Sequence, residues 1–576
     1  MKKILLFVAV ILMLTSCTTK PELRHQDKVQ QKMLERIGQM PDLPSPYKML
    51  DWKAKARGFD KLVFDSTQTG DYWPLIWTDN SQKNFPQKTF GLYTAIGDVR
   101  QGPDHHNGIF HESLTTMGAV LGATLMGIDK SNQDGKDYVN MLRNYFNKDT
   151  GWDIMMNNTC PDVALLGGGY GRDWWYDVFP NVIYYGIANF YPNEKNATPI
   201  LRSIAEKFLA ADSVLNGNYH HSFFNYGKLE PEDSQICPQQ DAAAGHAYVL
   251  YAAYKKFGDP RYLKGAKSAL DALLSQKSNT FYEILMPFGA YVAARLNAEE
   301  GTHYDFTQIM KWTFNGDAEC RRGWGVLADN WNGFDVSGLV GSTYDNGGYA
   351  FLMNTFDVAW ALVPMVRYDP SWAKVVGKWM LNAANAAHLF YPYEIPDDHQ
   401  TIPQLKSVTK GVIAYEGLTK KSAYEQFADI KAPVAQGDGP NWVKGKNPWV
   451  SQFSVYGSAQ AGVFGSIIDT TNVKGILQLN LLACDFYRDK AYPSYLYNNP
   501  YKEAKSIKID CGSAPVDLYN ALTHSFIQKN VTGETEFTLD PNDVAILVFV
   551  PANGTPEYNG NRLLVNNVVV DYAIAK

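Results

Sequence analysis

Apolar residues recur at helical spacing through the middle of the chain, and this pattern constrains the fold more than any other feature. From about residue 110 to residue 390 the apolar positions form segments separated by Gly, Pro, Asn and Asp. The segments predict helices over Ser113 to Ile128, Asp137 to Asn147, Asp173 to Phe190, Ile200 to Ser213, Asp241 to Phe257, Pro260 to Ser275, Glu283 to Ala298, Tyr349 to Tyr368 and Ser371 to Leu389. Short Gly and Asp-Pro turns join several of them as antiparallel hairpins.

Helical hairpins in series, with no strand between them, must bury their apolar faces against one another. The sequence therefore predicts a mainly α fold, an (α/α)6 toroid, over residues 111–474. From about residue 475 the segments become short, β-branched and separated by Gly, Pro and Asn, which predicts a β-sandwich over residues 475–576. Residues 42–110 show no clear periodicity and are interpreted as a capping arm over the toroid.

The amino terminus is typical of a processing signal. Lys2 and Lys3 precede an apolar run that ends in Leu-Thr-Ser-Cys at Cys17, which resembles a bacterial lipoprotein signal. We expect a signal peptide over residues 1–16, lipidation of Cys17 and a polar tether over residues 17–41, with the protein anchored in the cell envelope at the outer membrane or the periplasmic face. The alternative is an ordinary secretory signal in which Cys17 has no role.

Composition excludes one class of partner and favours another. The net charge is -6 and no run of five Lys or Arg occurs, so nucleic-acid binding is not expected. Only 19% of the residues are charged whereas 13% are aromatic. This surplus of aromatic rings is more than a core needs and favours a groove lined with aromatic side chains, and no later apolar stretch is long enough to span a membrane.

Five cysteines follow Cys17 at wide spacing: Cys160, Cys237, Cys320, Cys484 and Cys511. The odd number and the absence of CxxC pairs favour buried free thiols, although one disulfide of undetermined pairing stays open.

The first polar cluster is Asp104 to Asn107, followed by His111 and Glu112. Because the spacing matches no HExxH site, a metal is not predicted, no cofactor is expected, and His106 is interpreted as a substrate-binding residue.

The second cluster is Gly167 to Asp177, where Trp174 and Trp175 could form a stacking platform for sugar rings. Arg172 beside them could pair with a uronate carboxylate. Helix packing, with Asp173 as an N-cap, is the alternative for this cluster.

Two carboxylates at predicted helix starts are the main catalytic candidates. Asp241 precedes a helix of small residues, whose dipole favours the ionised form and a role as base. Glu283 has the apolar neighbours Phe281, Met286 and Phe288, and burial there would favour the protonated form and a role as acid. Asp173 is the substitute for either. The alternatives are an N-cap for Asp241 and an Arg-paired structural residue for Glu283.

The remaining candidates lie in polar and aromatic loops. The Gly-rich stretch from Arg321 to Tyr349 is interpreted as a lid or groove wall. The complete set of predicted substrate-binding residues is His106, Arg172, Trp174, Trp175, His221, Arg322, Trp324, Asp345 and Tyr415.

Several motifs resemble those of a known group of proteins. They are Gln240 to Gly245, Pro287 to Asn297, Arg322 to Gly325 and Gly377 to Asn385. They are similar to motifs of secreted bacterial proteins of polysaccharide utilisation, whose design is that of (α/α)6-toroid glycoside hydrolases; the likeness covers about residues 100 to 570. In that group an acid often stands where this chain has Gln239 or Gln240. Separately, Asp173-Trp174-Trp175 is similar to the Asn-Trp-Trp helix of toroid polysaccharide lyases, although Asp replaces Asn and the downstream Ile-Gly-x-Pro is absent.

These observations favour a glycoside hydrolase that uses paired carboxylates on a polysaccharide or oligosaccharide, uronate-containing glycans included. A polysaccharide lyase is the first alternative, with His220, His221, Tyr226 and Arg172 as the residues that would abstract the proton and neutralise the uronate. A glycan-binding lipoprotein without catalysis is the second.

Overall fold

The computed structural model describes residues 27–98, 111–159, 173–422, 424–437 and 453–574. Cys17, His106 and Arg172 lie outside the described residues, as does the stretch from Asp104 to Asn107. Over the described ranges the protein is rich in helices and contains several antiparallel sheets. Among the helices of these ranges, none combines the length and the apolar character needed to cross a bilayer.

The α-helices of the described ranges confirm most of the helical pattern of the sequence, but Tyr349 to Phe351 form a strand, and only Tyr138–Met141 is α-helical in the segment from Asp137 to Asn147. The helices are α1 (Glu35–Gln39), α2 (Trp52–Val63), α3 (Ser113–Leu125), α4 (Tyr138–Met141), α5 (Trp174–Phe190), α6 (Ala197–Leu215), α7 (Ala242–Phe257), α8 (Pro260–Leu274), α9 (Met286–Glu300), α10 (Thr307–Asn315), α11 (Leu352–Tyr368), α12 (Ala373–Ala386), α13 (Val455–Ala459) and α14 (Ala461–Ile467).

Six of these helices contact one another in a closed circuit. Helix α3 packs on α5, α5 on α7, α7 on α9, α9 on α11, α11 on α14, and α14 returns to α3. The longer members are buried on all sides; in α11, every residue except Arg367 is buried. Helices α2, α6, α8, α10 and α12 pack against members of the circuit.

The circuit closes through two glycines. A Cβ atom on Gly122 of α3 would lie 2.4 Å from the carbonyl oxygen of Ala459, and one on Gly462 of α14 would lie 2.2 Å from the carbonyl oxygen of Gly122. Ala459 is the last residue of α13. Since real Cβ atoms do not approach backbone so closely, α3 can pack on α13 and α14 at this separation only with glycine at both positions.

Short strands lie between the helices, so the expectation of an uninterrupted helical region is wrong. A five-stranded antiparallel sheet has the order β12-β11-β9-β8-β5. Its strands are β5 (Trp324–Val326), β8 (Val340–Ser342), β9 (Tyr349–Phe351), β11 (Gly417–Thr419) and β12 (Val434–Gln436). Smaller pairs are β1 (Ile76–Asp79) with β2 (Thr89–Leu92), β3 (Phe223–Asn225) with β4 (Glu230–Glu232), β6 (Asn330–Trp331) with β7 (Phe334–Asp335), and β10 (Ala414–Tyr415) with β13 (Phe453–Ser454).

The C-terminal part is built from antiparallel strands. A six-stranded sheet has the order β14-β15-β16-β21-β18-β19, next to a β17-β20 pair and a β22-β23-β24 sheet. The strands are β14 (Ile468–Thr470), β15 (Leu477–Asn480), β16 (Ser494–Asn498), β17 (Lys505–Asp510), β18 (Val516–Asn520), β19 (Ser525–Val531), β20 (Glu534–Leu539), β21 (Val544–Pro551), β22 (Pro556–Asn559), β23 (Arg562–Val565) and β24 (Val568–Asp571). A separate apolar cluster joins the pair to the large sheet, with Ile507 and Phe537 on one side and Tyr497 and Leu547 on the other. The strands of this C-terminal part thus begin at Ile468, a few residues before the expected position of residue 475.

Residues 27–41 belong to the folded body, so this part of the predicted tether is wrong. The backbone N–H of Val29 donates to the carbonyl of Leu522 (2.8 Å), and that of Lys32 donates to the carbonyl of Ser371 (2.8 Å). Ile37 of α1 is fully buried. The segment therefore contacts both the helical part and the C-terminal sheets.

Candidate functional site

Three carboxylates that precede helices are brought together at one end of the helix circuit. Asp173 precedes α5, Asp241 precedes α7 and Glu283 precedes α9. Tyr282 links the first two, because its hydroxyl donates to Asp173 Oδ1 (3.4 Å) and its backbone N–H donates to Asp241 Oδ2 (3.2 Å). Gln239 Nε2 also donates to Asp173 Oδ1 (3.1 Å).

Glu283 is held by two donors. Its Oε1 forms an ion pair with Arg321, and its Oε2 accepts a hydrogen bond from Asn354 Nδ2 (2.7 Å) at the start of α11. Its backbone carbonyl accepts from Trp324 Nε1 (2.9 Å). A cation and an amide donor stabilise a carboxylate rather than a neutral acid. The structural contact therefore matches the Arg-paired alternative, and the expectation of an apolar, protonated Glu283 is wrong.

Burial makes the two aspartates weak acids. It raises the pKa of Asp241 to about 7, although the N–H of Tyr282 acts in the opposite direction. It raises the pKa of Asp173 to about 6, against the hydrogen bond from Gln239 and the charge of Arg321. The pKa of Asp241 is therefore raised, whereas the helix dipole was expected to favour its ionised form. Its side chain does not cap α7, and its exposed fraction is 1%, so burial outweighs the helix dipole.

A disulfide joins Cys237 to Cys320. The interpretation of these two residues as free thiols is wrong, whereas Cys484 and Cys511 are free and buried. The bridge links the segment before α7 to the residue that precedes Arg321. It therefore restrains the backbone that carries the ion-pair partner of Glu283.

Four predicted aromatic contacts to substrate are core residues instead. Trp174 is fully buried, stacks on Tyr219 with 5.6 Å between ring centroids and donates from Nε1 to the Tyr226 hydroxyl (3.1 Å). The other three are also at most 4% exposed: Trp175, Trp324 and Tyr415. None of these rings presents a face to solvent, so the platform interpretation is wrong, and the packing alternative accounts for them.

The residues that would act in a lyase differ in their burial. Tyr226 is buried, its pKa is raised well above the ordinary value by burial, and its hydroxyl contacts His246 Nε2 (2.7 Å). His221 is partly exposed and its Nδ1 contacts Asp233 (3.2 Å). The His220 ring contacts Gln240, next to Asp241. Tyr226 is thus closed to a substrate, and the two histidines lie on the outer side of the carboxylate cluster.

Arg322 and Asp345 lie near the surface in the loop that the sequence indicated as a groove wall. Arg322 is exposed, and its guanidinium lies 3.7 Å from the centroid of the Tyr344 ring. Asp345, which follows Tyr344, is partly exposed.

The contacts of His111 indicate a structural role. It is fully buried, with Nε2 2.8 Å from Asp79 Oδ2 and Nδ1 2.9 Å from the Tyr145 hydroxyl. Within the described ranges, no group of three or more His, Cys, Asp and Glu side chains is arranged to hold a metal ion.

Sequence reasoning gave no role in the cluster to four of its members: Gln239, Tyr282, Arg321 and Asn354. Three of them stand beside residues that were singled out, next to Gln240, Glu283 and Arg322, and this adjacency was the available signal. Nothing marked Asn354, which comes into contact only because α9 packs on α11.

No protein-family model matches the sequence, and no curated protein matches it. Among solved structures, the chain is similar to a GH127 β-L-arabinofuranosidase from Geobacillus stearothermophilus T6 (10% identity, 91% of this chain, 85% of that chain, TM-score 0.35). It is also similar to the cellulase Cel9M of C. cellulolyticum (13% identity, 72% of this chain, 97% of that chain, TM-score 0.34). A third similar structure is an unsaturated glucuronyl hydrolase variant from Streptococcus agalactiae (10% identity, 65% of this chain, 96% of that chain, TM-score 0.26). These similar structures are glycoside hydrolases. At such TM-scores and identities, the likeness does not establish an activity.

Proposed function

We propose that the protein is a glycoside hydrolase built on an (α/α)6 toroid with a C-terminal β-sandwich. The six helices in closed contact are its inner ring, and the cluster at the starts of α5, α7 and α9 is its catalytic centre. One observation carries the proposal: Arg321 forms an ion pair with Glu283, and its charge also lowers the pKa of Asp173. The guanidinium of Arg321 is therefore close to two carboxyl groups: Glu283, with which it forms an ion pair, and Asp173, whose pKa burial raises to about 6.

Asp173 is the general acid in this proposal. With a pKa of about 6 it keeps a protonated fraction near neutral pH, and it can transfer that proton to the glycosidic oxygen as the bond to the anomeric carbon breaks. Glu283 is the second carboxylate, which either activates a water molecule or attacks the anomeric carbon. Arg321 and Asn354 keep it ionised and oriented.

Asp241 is a positioning residue in this scheme. Its exposed fraction of 1% keeps it from contact with a glycan, but it accepts the backbone N–H of Tyr282, whose hydroxyl contacts Asp173. This replaces the original assignment of Asp241 as base and Glu283 as acid.

The test is turnover of a panel of polysaccharides by the wild type and three single variants. Asp173→Asn and Glu283→Gln each lower kcat/KM at least about a hundredfold, as expected for loss of an acid or a base, and circular dichroism checks that both variants are folded. Asp241→Asn gives a smaller loss, and the control Asp233→Asn, at an exposed carboxylate, gives none. The wild-type rate falls as the pH rises through about 6, because Asp173 loses its proton, and Asp173→Asn removes this limb.

Each alternative has its own outcome in the same assay. Full activity in both Asp173→Asn and Glu283→Gln would remove this pair from catalysis. Products that absorb as unsaturated uronides would identify a lyase, and tight binding without any product would identify a glycan-binding protein.

We propose further that Cys17 is lipidated and that the chain is held at the cell envelope. The processing signal supports this, and a disulfide is typical of compartments outside the cytosol. Labelling with a radioactive fatty acid should mark the wild type and not Cys17→Ala; a labelled Cys17→Ala would refute the lipoprotein interpretation.

A further inference from the structure

An exposed aromatic ring and an arginine form a preformed pair beside the proposed catalytic centre. The Arg322 guanidinium covers one side of the Tyr344 ring at 3.7 Å, and Tyr344 is still 54% exposed. A guanidinium stacked on one side of an exposed ring leaves both a cation and an apolar ring surface open to a ligand from solution.

Arg322 lacks an acidic partner in the structure. Among the described residues no carboxylate lies within ion-pair distance of its guanidinium, whereas Arg321 next to it pairs with Glu283. The five N–H donors of a guanidinium match the two oxygens of a carboxylate, and stacking on an aromatic ring leaves the edge of the guanidinium free to donate. Arg322 is therefore ready to accept an anionic group from outside the chain.

The backbone holds this pair rigidly. Ser342 Oγ donates to the Arg322 carbonyl (2.7 Å) and accepts from the Tyr344 N–H (3.0 Å). The Thr343 N–H donates to the Gly323 carbonyl (2.8 Å), and the pairing of β5 with β8 sets Trp324 opposite Ser342. Little conformational entropy is lost when such a preorganised site binds a ligand.

The pair lies one residue away from the catalytic centre. Arg321 points to Glu283, while Arg322 points to the exposed Tyr344, and consecutive Cα atoms are about 3.8 Å apart. The two sites therefore share one short stretch of backbone, and a glycan that extends from the catalytic centre could reach Arg322 within a few sugar units.

We propose that Arg322 and Tyr344 form a subsite for a uronate residue of the glycan, next to the bond that is cleaved. Arg322 binds the carboxylate, and the open part of the Tyr344 ring packs against the C–H face of the sugar. The inference rests on the proposed function, since it places the subsite beside the proposed catalytic carboxylates.

The test separates charge recognition from catalysis by calorimetric titration of the full chain carrying Asp173→Asn, which keeps the ion pair between Arg321 and Glu283. The probes are a galacturonate tetramer and a glucuronate tetramer, each compared with its methyl ester, which keeps the shape and loses the charge. At least one acid binds at least about tenfold more tightly than its ester, and adding Arg322→Met removes this preference while leaving the ester almost unaffected. Adding Tyr344→Ala weakens the binding of both forms.

Two controls match the variants in chemistry. Tyr393→Ala removes another exposed tyrosine, and Lys61→Met removes another exposed cation; neither changes binding. The inference is overturned if neither acid binds, if acid and ester bind equally in both pairs, or if Arg322→Met leaves the preference intact. Loss of the preference in Arg322→Met together with full turnover in Glu283→Gln would keep the subsite and reject the catalytic assignment, so the two failures are distinct.

Discussion

Asp357 shows at the level of one residue how burial controls charge in this protein. It lies within α11, and neither of its carboxyl oxygens has a hydrogen-bond partner among the described residues. Burial raises its pKa well above the ordinary value of 3.8, so the folded protein holds a proton there that the unfolded chain releases at neutral pH. A group of this kind destabilises the fold as the pH rises.

We predict that Asp357→Asn makes the protein more stable at pH 7. The wild-type free energy of unfolding loses up to about 1.4 kcal/mol for each pH unit above about 4, as long as the folded form keeps the proton. The amide has no proton to lose, so this contribution disappears in the variant. Urea unfolding at pH 5 and pH 7.5 measures both slopes.

The exposed Asp429→Asn serves as the control for that measurement, and it leaves the slope unchanged. Equal pH dependence in Asp357→Asn and the wild type would show that Asp357 is ionised in the folded state.

Residue chemistry was predictable from the sequence only where neighbours along the chain decide it. Asp173, Asp241 and Glu283 could be placed near helix starts, because Gly, Pro and apolar periodicity mark those positions. Their charge states could not, since Arg321 and Asn354 reach Glu283 from 38 and 71 residues away. Trp174 was misread for the same reason, because a buried ring and a sugar platform have the same sequence pattern.

At the scale of elements, the contact of α3 with α14 closes the helix circuit. Gly122 and Gly462 bring the two backbones so close that a methyl group has no room, and backbone atoms cannot move aside as a flexible side chain can. The integrity of the circuit therefore depends on these positions more than on the apolar side chains around them.

We predict that Gly122→Ala lowers the free energy of unfolding by about 1–3 kcal/mol, the usual cost of overpacking. Gly38→Ala is the matched control, since a Cβ atom there meets nothing within 4 Å and alanine favours the helix by up to about 1 kcal/mol. Thermal unfolding of both variants tests the difference. A Gly122→Ala protein as stable as Gly38→Ala would mean that α3 and α14 can separate freely.

The sequence predicted long helices more accurately than short strands. The sequence places α8 at Pro260 to Ser275, and the structure has Pro260–Leu274. The strands around Tyr344 were missed, because strands of two or three residues rich in glycine show no alternation that can be recognised. The loop they form was interpreted as a lid or groove wall from its composition, and this interpretation stays a prediction.

For the whole molecule, residues 27–41 connect the two main parts of the fold. Lys28 forms an ion pair with Asp543 in the C-terminal strands, Gln31 Nε2 donates to the carbonyl of Pro370 before α12 (3.1 Å), and Ile37 packs into the core. These contacts stabilise the arrangement of the helical and strand regions relative to each other.

We predict that a chain starting at residue 42 is less stable than one starting at residue 27 by at least about 3 kcal/mol, because it loses the buried side chains of Leu34, Ile37 and Met40. Comparison of the two proteins in guanidinium unfolding measures this. Equal midpoints would show that the segment is only attached to the surface.

The bridge between Cys237 and Cys320 has a consequence for how the protein must be made. The two sulfurs are 83 residues apart in sequence, and the closed loop contains α7, α8, α9 and α10 together with Asp241 and Glu283. Material produced in the reducing cytosol of an expression host would lack this cross-link and leave the backbone of Arg321 less restrained. Samples for enzymology should therefore be oxidised and titrated for free thiols before a lack of activity is attributed to the wrong substrate.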